Sequence, residues 1–479
     1  MEILLEEIHK KYKNFSYDRK EMEKALQAEI DGFDGKFIVL DDDPTGVQTV
    51  HDIHVFTDWS VESLKEGLLG EEKLFFVLTN SRGLTEEQTT VLHKELAHNA
   101  ILASRETGRK FVLISRSDST LRGHFPLETQ LLAQVLKEEA GQETDGEVLM
   151  PFFKEGGRFT VENIHYVKDG ERLVPAAETE FAKDKTFGYS HSYLPDYIEE
   201  KTKGAYPADQ VTCISLEELR GGQVEEIQEK LMQVSGFGKV VVNALDYEDI
   251  TVFAVALYRA MKAGKTFLFR SAAGLVKVLG GISTIPLLTA DKMRKHMFDE
   301  PNGHGGIIVV GSHTRKTTSQ LEALRSVEGL TFLEFDSNQV LSGTLSEEVD
   351  RVVGLSEEII KKGGTVVAYT KRKLLEIEGD TPEAALKRSV QISEGVQALV
   401  GRLSVEPAFV IAKGGITSSD VGVKALKVKK ARVLGQIRPG IPVWQTGEES
   451  KFPGIPYVIF PGNVGDENTL KEAVEILLK

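Results

Sequence analysis

The chain has 479 residues, 41% hydrophobic and 27% charged, a balance of soluble globular proteins that argues against disorder along most of its length. Its net charge of −15 repels a phosphate backbone and no basic patch offsets it, so nucleic acid is not an expected partner. Cys213 is the single cysteine, which excludes an intrachain disulfide framework and a multi-cysteine zinc site, and no apolar run approaches the roughly 20 residues of a membrane span. With an acidic N-terminus where a secretion signal is basic, these features predict a cytoplasmic protein of more than one domain.

Residues 1–35 read as an amphipathic helical extension, with Ile3, Leu4 and Ile8, then Met22, Ala25, Leu26 and Ile30, at helical spacing. From Lys36 short apolar runs alternate with helix-like segments. The runs are 37–40, 53–57, 74–79, 111–115 and 148–150, and the segment after Thr85 opens with a capping box to Gln88. This alternation predicts βαβ units and a mostly parallel sheet. Residues 151–235 read as an excursion, after which 240–243 and 266–269 resume the strand pattern. Residues 297–306, with Pro301 and clustered glycine, are the expected linker. A second alternating series follows, from the run 307–310 to a final helix near 467–478. The predicted fold is α/β in two lobes, each a mostly parallel sheet flanked by helices, with a ligand cleft between them. The expected divisions are a 1–35 extension, a 36–296 domain and a 307–479 domain.

Open parallel sheets bind ligands beyond the carboxyl ends of their strands, and the polar clusters fall at those ends. In the first lobe they are Asp41, Asp42 and Asp43, then Asn80-Ser81-Arg82, then Arg116-Ser117-Asp118-Ser119-Thr120-Leu121-Arg122, then the loop reaching Arg158. Carboxylates, hydroxyls and arginines together suit a small polyhydroxylated anion, because guanidinium clamps a carboxylate while Asp and Ser bond hydroxyls. The second lobe carries Gly311-Ser312-His313-Thr314, Gly414-Gly415-Ile416-Thr417 and Pro461-Gly462-Asn463. Glycine turns before helices bring backbone N–H groups and a helix dipole to phosphate, which predicts a nucleotide cradle. Gly264-Lys265-Thr266 precedes a strand and lacks the first glycine of a P-loop, and no dinucleotide fingerprint follows a strand. The histidines are scattered, and among them His313, beside Ser312, stands at a strand end.

Taken in order, these segments resemble the four-carbon acid sugar kinase family. The resemblance rests on Asp42-Asp43-Pro44-Thr45-Gly46, Asn80-Ser81-Arg82 and Arg116 to His124. It continues through Gly157-Arg158-Phe159-Thr160-Val161, Thr179 to Ala182, Ser271 to Leu275, and the three glycine turns, so it spans about residues 36–475. The sequence departs from the usual pattern at Arg116 (Lys), His124 (Asn) and Ile416 (often Glu).

The resemblance implies an ATP-dependent kinase acting on the 4-hydroxyl of threonate, erythronate or 3-dehydrotetronate, with Mg²⁺ on the phosphates. The alternative is a sugar-acid-binding regulatory protein without phosphoryl transfer. By likeness, Asp42, Asp43, Arg82, Arg116, Ser117, Asp118, Ser119, Arg122 and Arg158 contact the sugar acid, with Asp43 or Asp118 as general base. Ser312, His313, Gly414, Gly415, Ile416, Thr417, Gly462 and Asn463 contact the nucleotide. Metal ligands are not assigned. The expected partner is the small-molecule acid alone, without membrane, and a homodimer is the commonest closed assembly.

Overall fold

Strands that are apolar on both faces must be covered on both faces, and such runs build the centre of each sheet here. The computed structural model describes residues 2–479 except 298–301, 374, 376, 378 and 463, and the side chain of residue 382. Part of the expected linker therefore lies outside the described residues. The chain divides into two compact units, Met1–Thr49 with Asp58–Thr284, and Val50–Thr57 with Ile285–Lys479.

In the first unit seven strands form an all-parallel sheet in the order Thr212–Ile214, Gly238–Val242, Gly146–Met150, Phe267–Ser271, Lys110–Arg116, Gly35–Asp41, Leu74–Leu78. The first strand in sequence, Gly35–Asp41, lies between the second and the third. The chain therefore reverses direction across the sheet beside Asp41 and Arg116, which is where an open α/β sheet leaves a crevice. Helices Glu86–Thr107 and Leu127–Ala140 pack on each other, and Tyr247–Lys262 packs against Arg19–Asp31 and Val224–Gln233.

The N-terminal extension is not a continuous helix. Ile3–Leu4 pairs antiparallel with Arg172–Pro175, at the edge of a small sheet completed by Ile164–Asp169 and Arg158–Val161. Helices Leu5–Lys11 and Arg19–Asp31 follow. The extension is anchored to its own unit: Phe15 lies 4.7 Å from the Arg220 guanidinium, and Tyr17 donates to the Glu248 carbonyl at 3.1 Å. The excursion after residue 150 contains this small antiparallel sheet.

The second unit has a mixed sheet in the order Ile53–Phe56, Lys430–Arg438, Ile441–Thr446, Pro456–Phe460, Val410–Lys413, Ile307–Val310, Thr365–Thr370, Leu330–Phe335. The last five are mutually parallel, and the first three join by antiparallel pairing. The run 53–57, expected in the first lobe, belongs here, because Ile53–Phe56 forms its ladder with residues 430–433. Local periodicity marks a strand but does not choose its partner, and a segment about 370 residues away supplies the partner. Residues 285–296 also group with the second unit, where Leu288 and Met293 join a core with Ile308, Ile411 and Val458. Among the described residues no helix is long and apolar enough to cross a membrane.

Candidate functional site

At the carboxyl ends of the first unit's strands, acids and guanidiniums alternate. Arg116 is buried and meets Asp41 at 3.0 Å, with Asp42 at 3.9 Å. Arg82 contacts Asp43 closely, Asp42 at 3.7 Å and Asp118 at 3.4 Å. Asp118 then accepts from Arg122 Nε at 2.7 Å, and Arg122 reaches Asp184 at 3.9 Å. Asp42, Asp43, Arg82, Arg116, Ser117, Asp118 and Arg122 thus share one network, in which Ser117 Oγ donates to Asp42 at 2.7 Å. Arg116 faces inward to Asp41, and its Nε is buried without a hydrogen-bond partner.

The loops are held by partners that carry no motif. Glu128, on helix Leu127–Ala140, is buried and accepts from Ser81 Oγ at 2.6 Å and Ser115 Oγ at 2.9 Å, which fixes the residues just before Arg82 and Arg116. Asn80 (φ 52°) and Leu121 (φ 68°) are left-handed, a strained state for leucine. Around Leu121 the tyrosines Tyr189 and Tyr197 donate to the carbonyls of Thr120 (2.8 Å) and Leu121 (2.9 Å). His165 is buried and its pKa is pushed down to about 4 by burial. It is therefore neutral, and it donates from Nε2 to the Ser119 carbonyl at 2.7 Å while Nδ1 accepts from Thr160 at 3.0 Å. Ser119 is buried and enters the site through this backbone anchor. His124 is tied to the Leu84 carbonyl at 3.0 Å.

Arg158 makes no ion pair among the described residues, although Asp118 lies near it. Its guanidinium and that of Arg122 lie 5.6 and 5.1 Å from the Phe181 ring centroid, so two cations share one aromatic ring. Arg158 Nε is buried without a hydrogen-bond partner, and burial lowers its pKa despite the nearby Asp118. Arg270, on strand Phe267–Ser271, donates to the Arg122 carbonyl at 2.6 Å and its Nη1 is also buried without a partner. Sequence reasoning missed Arg270 because it sits inside an apolar strand. Phe181 was legible as part of a motif but carried no assigned role.

The carboxylates divide by environment. Burial pushes Asp41 up to about 7, aided by Asp42 and Asp43 and opposed by Arg116. Burial also raises Asp42, whose Oδ1 has no hydrogen-bond partner. Burial would raise Asp43 as well, but Arg82 and the Thr45 donors outweigh it and the net shift is downward. Asp118 lies well below the ordinary carboxylate range, because Arg82, Arg122 and Thr120 outweigh its burial. A depressed carboxylate favours folding above its unfolded pKa, near 3.8 for Asp118, and that contribution disappears as pH falls toward the folded value. Below pH 4 the wild-type protein is therefore expected to lose more stability than Asp118→Asn. Parallel pH–stability slopes in urea titrations would contradict this.

In the second unit three turns converge. A Cβ built on Gly311 would lie 2.3 Å from Thr417 Oγ1, and one on Gly462 would lie 3.1 Å from Ser312 Oγ. Gly415 opens helix Gly415–Asp420, and Asn463 lies outside the described residues. Of the N–H groups expected to form the cradle, three have partners within the sheet. Gly311 and Ser312 donate weakly to the Lys413 carbonyl (3.3 and 3.4 Å), and Gly414 donates to that of Phe460 at 2.8 Å, so these donors are engaged by neighbouring strands. The hydroxyls of the turns are linked to one another: buried Thr317 Oγ1 donates to Ser312 Oγ at 3.0 Å and accepts from Thr314 Oγ1 at 3.0 Å. Beside them is a cavity of about 460 Å³ lined by Gly311, His313, Thr417, Ile416, Ile392 and Val396. Ile416, exposed at 73%, adds apolar surface to this wall where a carboxylate is usual in the resembling family. His313 lies 3.4 Å from Thr370, its pKa lowered by burial and by Arg372.

A family model described as a sugar-binding N-terminal domain matches residues 37–279, and one described as a nucleotide-binding C-terminal domain matches 307–470. The chain belongs to the four-carbon acid sugar kinase family. Its acid–guanidinium network lies within the sugar-binding domain, and its converging turns and cavity lie within the nucleotide-binding domain. The Haemophilus influenzae protein HI1011, of the DUF1537 family, is 18% identical, with a TM-score of 0.62 over 92% of this chain and 100% of its own. A Salmonella typhimurium LT2 protein solved under the provisional name of a tRNA synthase is 16% identical, with a TM-score of 0.66 over 91% of this chain and 98% of its own. At these identities the likeness establishes the fold of the family member and nothing more. No curated protein matches the chain.

Proposed function

We propose that this protein is an ATP-dependent kinase that phosphorylates the 4-hydroxyl of a four-carbon sugar acid, threonate, erythronate or 3-dehydrotetronate. One observation carries the reading. A sugar-binding domain whose strand ends hold ionised carboxylates beside guanidiniums shares a chain with a nucleotide-binding domain whose turns border a cavity of mixed apolar and polar lining. In the reaction the acceptor oxygen forms a bond to the γ-phosphorus, the bond to the β–γ bridging oxygen breaks, and ADP leaves. The hydroxyl proton passes to a carboxylate, Asp43 or Asp118, both of which stay ionised at neutral pH. Such carboxylates also accept hydrogen bonds from the sugar hydroxyls.

Arg82 is enclosed by three acids, so a substrate carboxylate is better received by the under-compensated Arg158, next to Arg122 on Phe181. Among the described residues no group of three or more His, Cys, Asp or Glu is arranged for a metal, and Mg²⁺ enters this proposal on the phosphates of the Mg-ATP substrate.

The test is ADP release from Mg-ATP with a panel of tetronates. Turnover with a member of the panel, and a KM raised roughly tenfold or more in Arg158→Ala through loss of a charged hydrogen bond, are the expected results. Thermal stabilisation by the acid without ADP release would establish the alternative, a sugar-acid-binding regulator.

A further inference from the structure

Lys413, the last residue of strand Val410–Lys413, is buried, and its amine forms no ion pair among the described residues. Its Nζ donates to the Pro461 carbonyl at 2.5 Å and the Gly462 carbonyl at 3.2 Å, and lies 4.2 Å from the Phe460 ring. The Gly462 carbonyl also accepts from Thr317 Oγ1 at 2.9 Å and Thr314 Oγ1 at 3.1 Å. Three side chains thus pull one carbonyl inward, which sets the orientation of the Pro461–Gly462 turn. The same residue's backbone carbonyl receives the Gly311 and Ser312 N–H groups, so Lys413 ties two of the three turns together.

A buried ammonium satisfied only by neutral acceptors is costly to retain, so it sheds its proton readily unless an anion comes to its side. The N–H groups of Gly311, Ser312 and Gly414 are engaged by strand carbonyls, so these three donors do not serve a phosphate. We propose that Lys413 is the positioning residue of the nucleotide site: it locks the Pro461–Gly462 turn from beneath and supplies the uncompensated charge against which the nucleotide phosphates bind. This inference rests on the nucleotide reading above.

The free protein's Lys413 has its pKa lowered to about 7 by burial and by Lys316 on helix Arg315–Leu324. Other titratable and charged groups around the rim include His313, beside Thr370 and Arg372, the paired Asp380 and Arg388 on the cavity wall, and Asp466, which is bonded to Thr469 and acted on by Lys316. An arriving polyanion raises the pKa of Lys413, so binding takes up a proton.

Calorimetry of Mg-ADP binding at pH 7.5, in two buffers of different ionisation enthalpy, reads that proton directly. The wild-type chain is expected to take up a measurable fraction of a proton per site, because free Lys413 is partly deprotonated at this pH. Uptake persists in His313→Asn and vanishes in Lys413→Met, which binds Mg-ADP at least roughly tenfold more weakly, while Lys413→Arg restores affinity without uptake. Buffer-independent heats in a wild-type chain that binds Mg-ADP overturn the proposal without any variant having to fold. Wild-type affinity in Lys413→Met overturns it as well. No Mg-ADP heat at all in the wild type overturns the nucleotide reading and this proposal with it.

Discussion

Arg82→Met is expected to destabilise the sugar-binding unit by about 3–5 kcal/mol, the usual consequence of removing one partner from a buried charge cluster. The wild-type guanidinium serves Asp42, Asp43 and Asp118 together. Asp42 and Asp118 are 2% and 11% exposed, so water cannot replace what the arginine provides. Without it three carboxylates repel one another, and their pKa values rise. The loss is therefore largest at neutral and alkaline pH and shrinks in acid, where protonation relieves the repulsion. Urea denaturation midpoints at pH 8 and pH 4.5 measure this. Adding Asp118→Asn to Arg82→Met is expected to recover part of the loss, since one repelling charge disappears. An Arg82→Met midpoint equal to wild type at pH 8 would show that the cluster is solvated and Arg82 is dispensable to it.

Gly414→Val is expected to abolish nucleotide-dependent thermal stabilisation while leaving stabilisation by sugar acid in place. Gly414 has φ 124°, a conformation valine does not adopt without strain of about 1–3 kcal/mol. Its Cβ would also sit 3.2 Å from both Ser312 Cβ and Thr417 Oγ1, at the point where the turns meet. The substitution thus displaces two turns and fills the rim at once. Thermal shift with Mg-ADP and with a tetronate, on the same preparation, separates the two effects. A retained Mg-ADP shift would move the nucleotide away from these turns.

The polar clusters were legible because their residue types are unusual and because they follow apolar runs. Asp42-Asp43, Ser81-Arg82 and Ser117-Asp118 do converge, as the carboxyl-end rule for parallel sheets requires. The pairing inside the cluster was not legible. Arg116 and Arg82 look alike in sequence, yet one turns inward to Asp41 and the other gathers three acids. Glu128 and Arg270 carry no motif, and they matter only because the fold brings a helix start and a strand centre under the same loops.

Composition, spacing and turn residues were enough to determine an acidic two-unit α/β protein, its parallel strands and the ends at which its polar residues gather. These properties depend on local periodicity and on which side chains favour water. Tertiary structure alone decided that residues 53–56 complete the second unit's sheet, that the Gly311 and Gly414 N–H groups serve neighbouring strands, and that Lys413 lies buried beneath the turns. Each of these depends on which distant backbone group lies within hydrogen-bonding reach. Strand order settles that, and no local pattern encodes it.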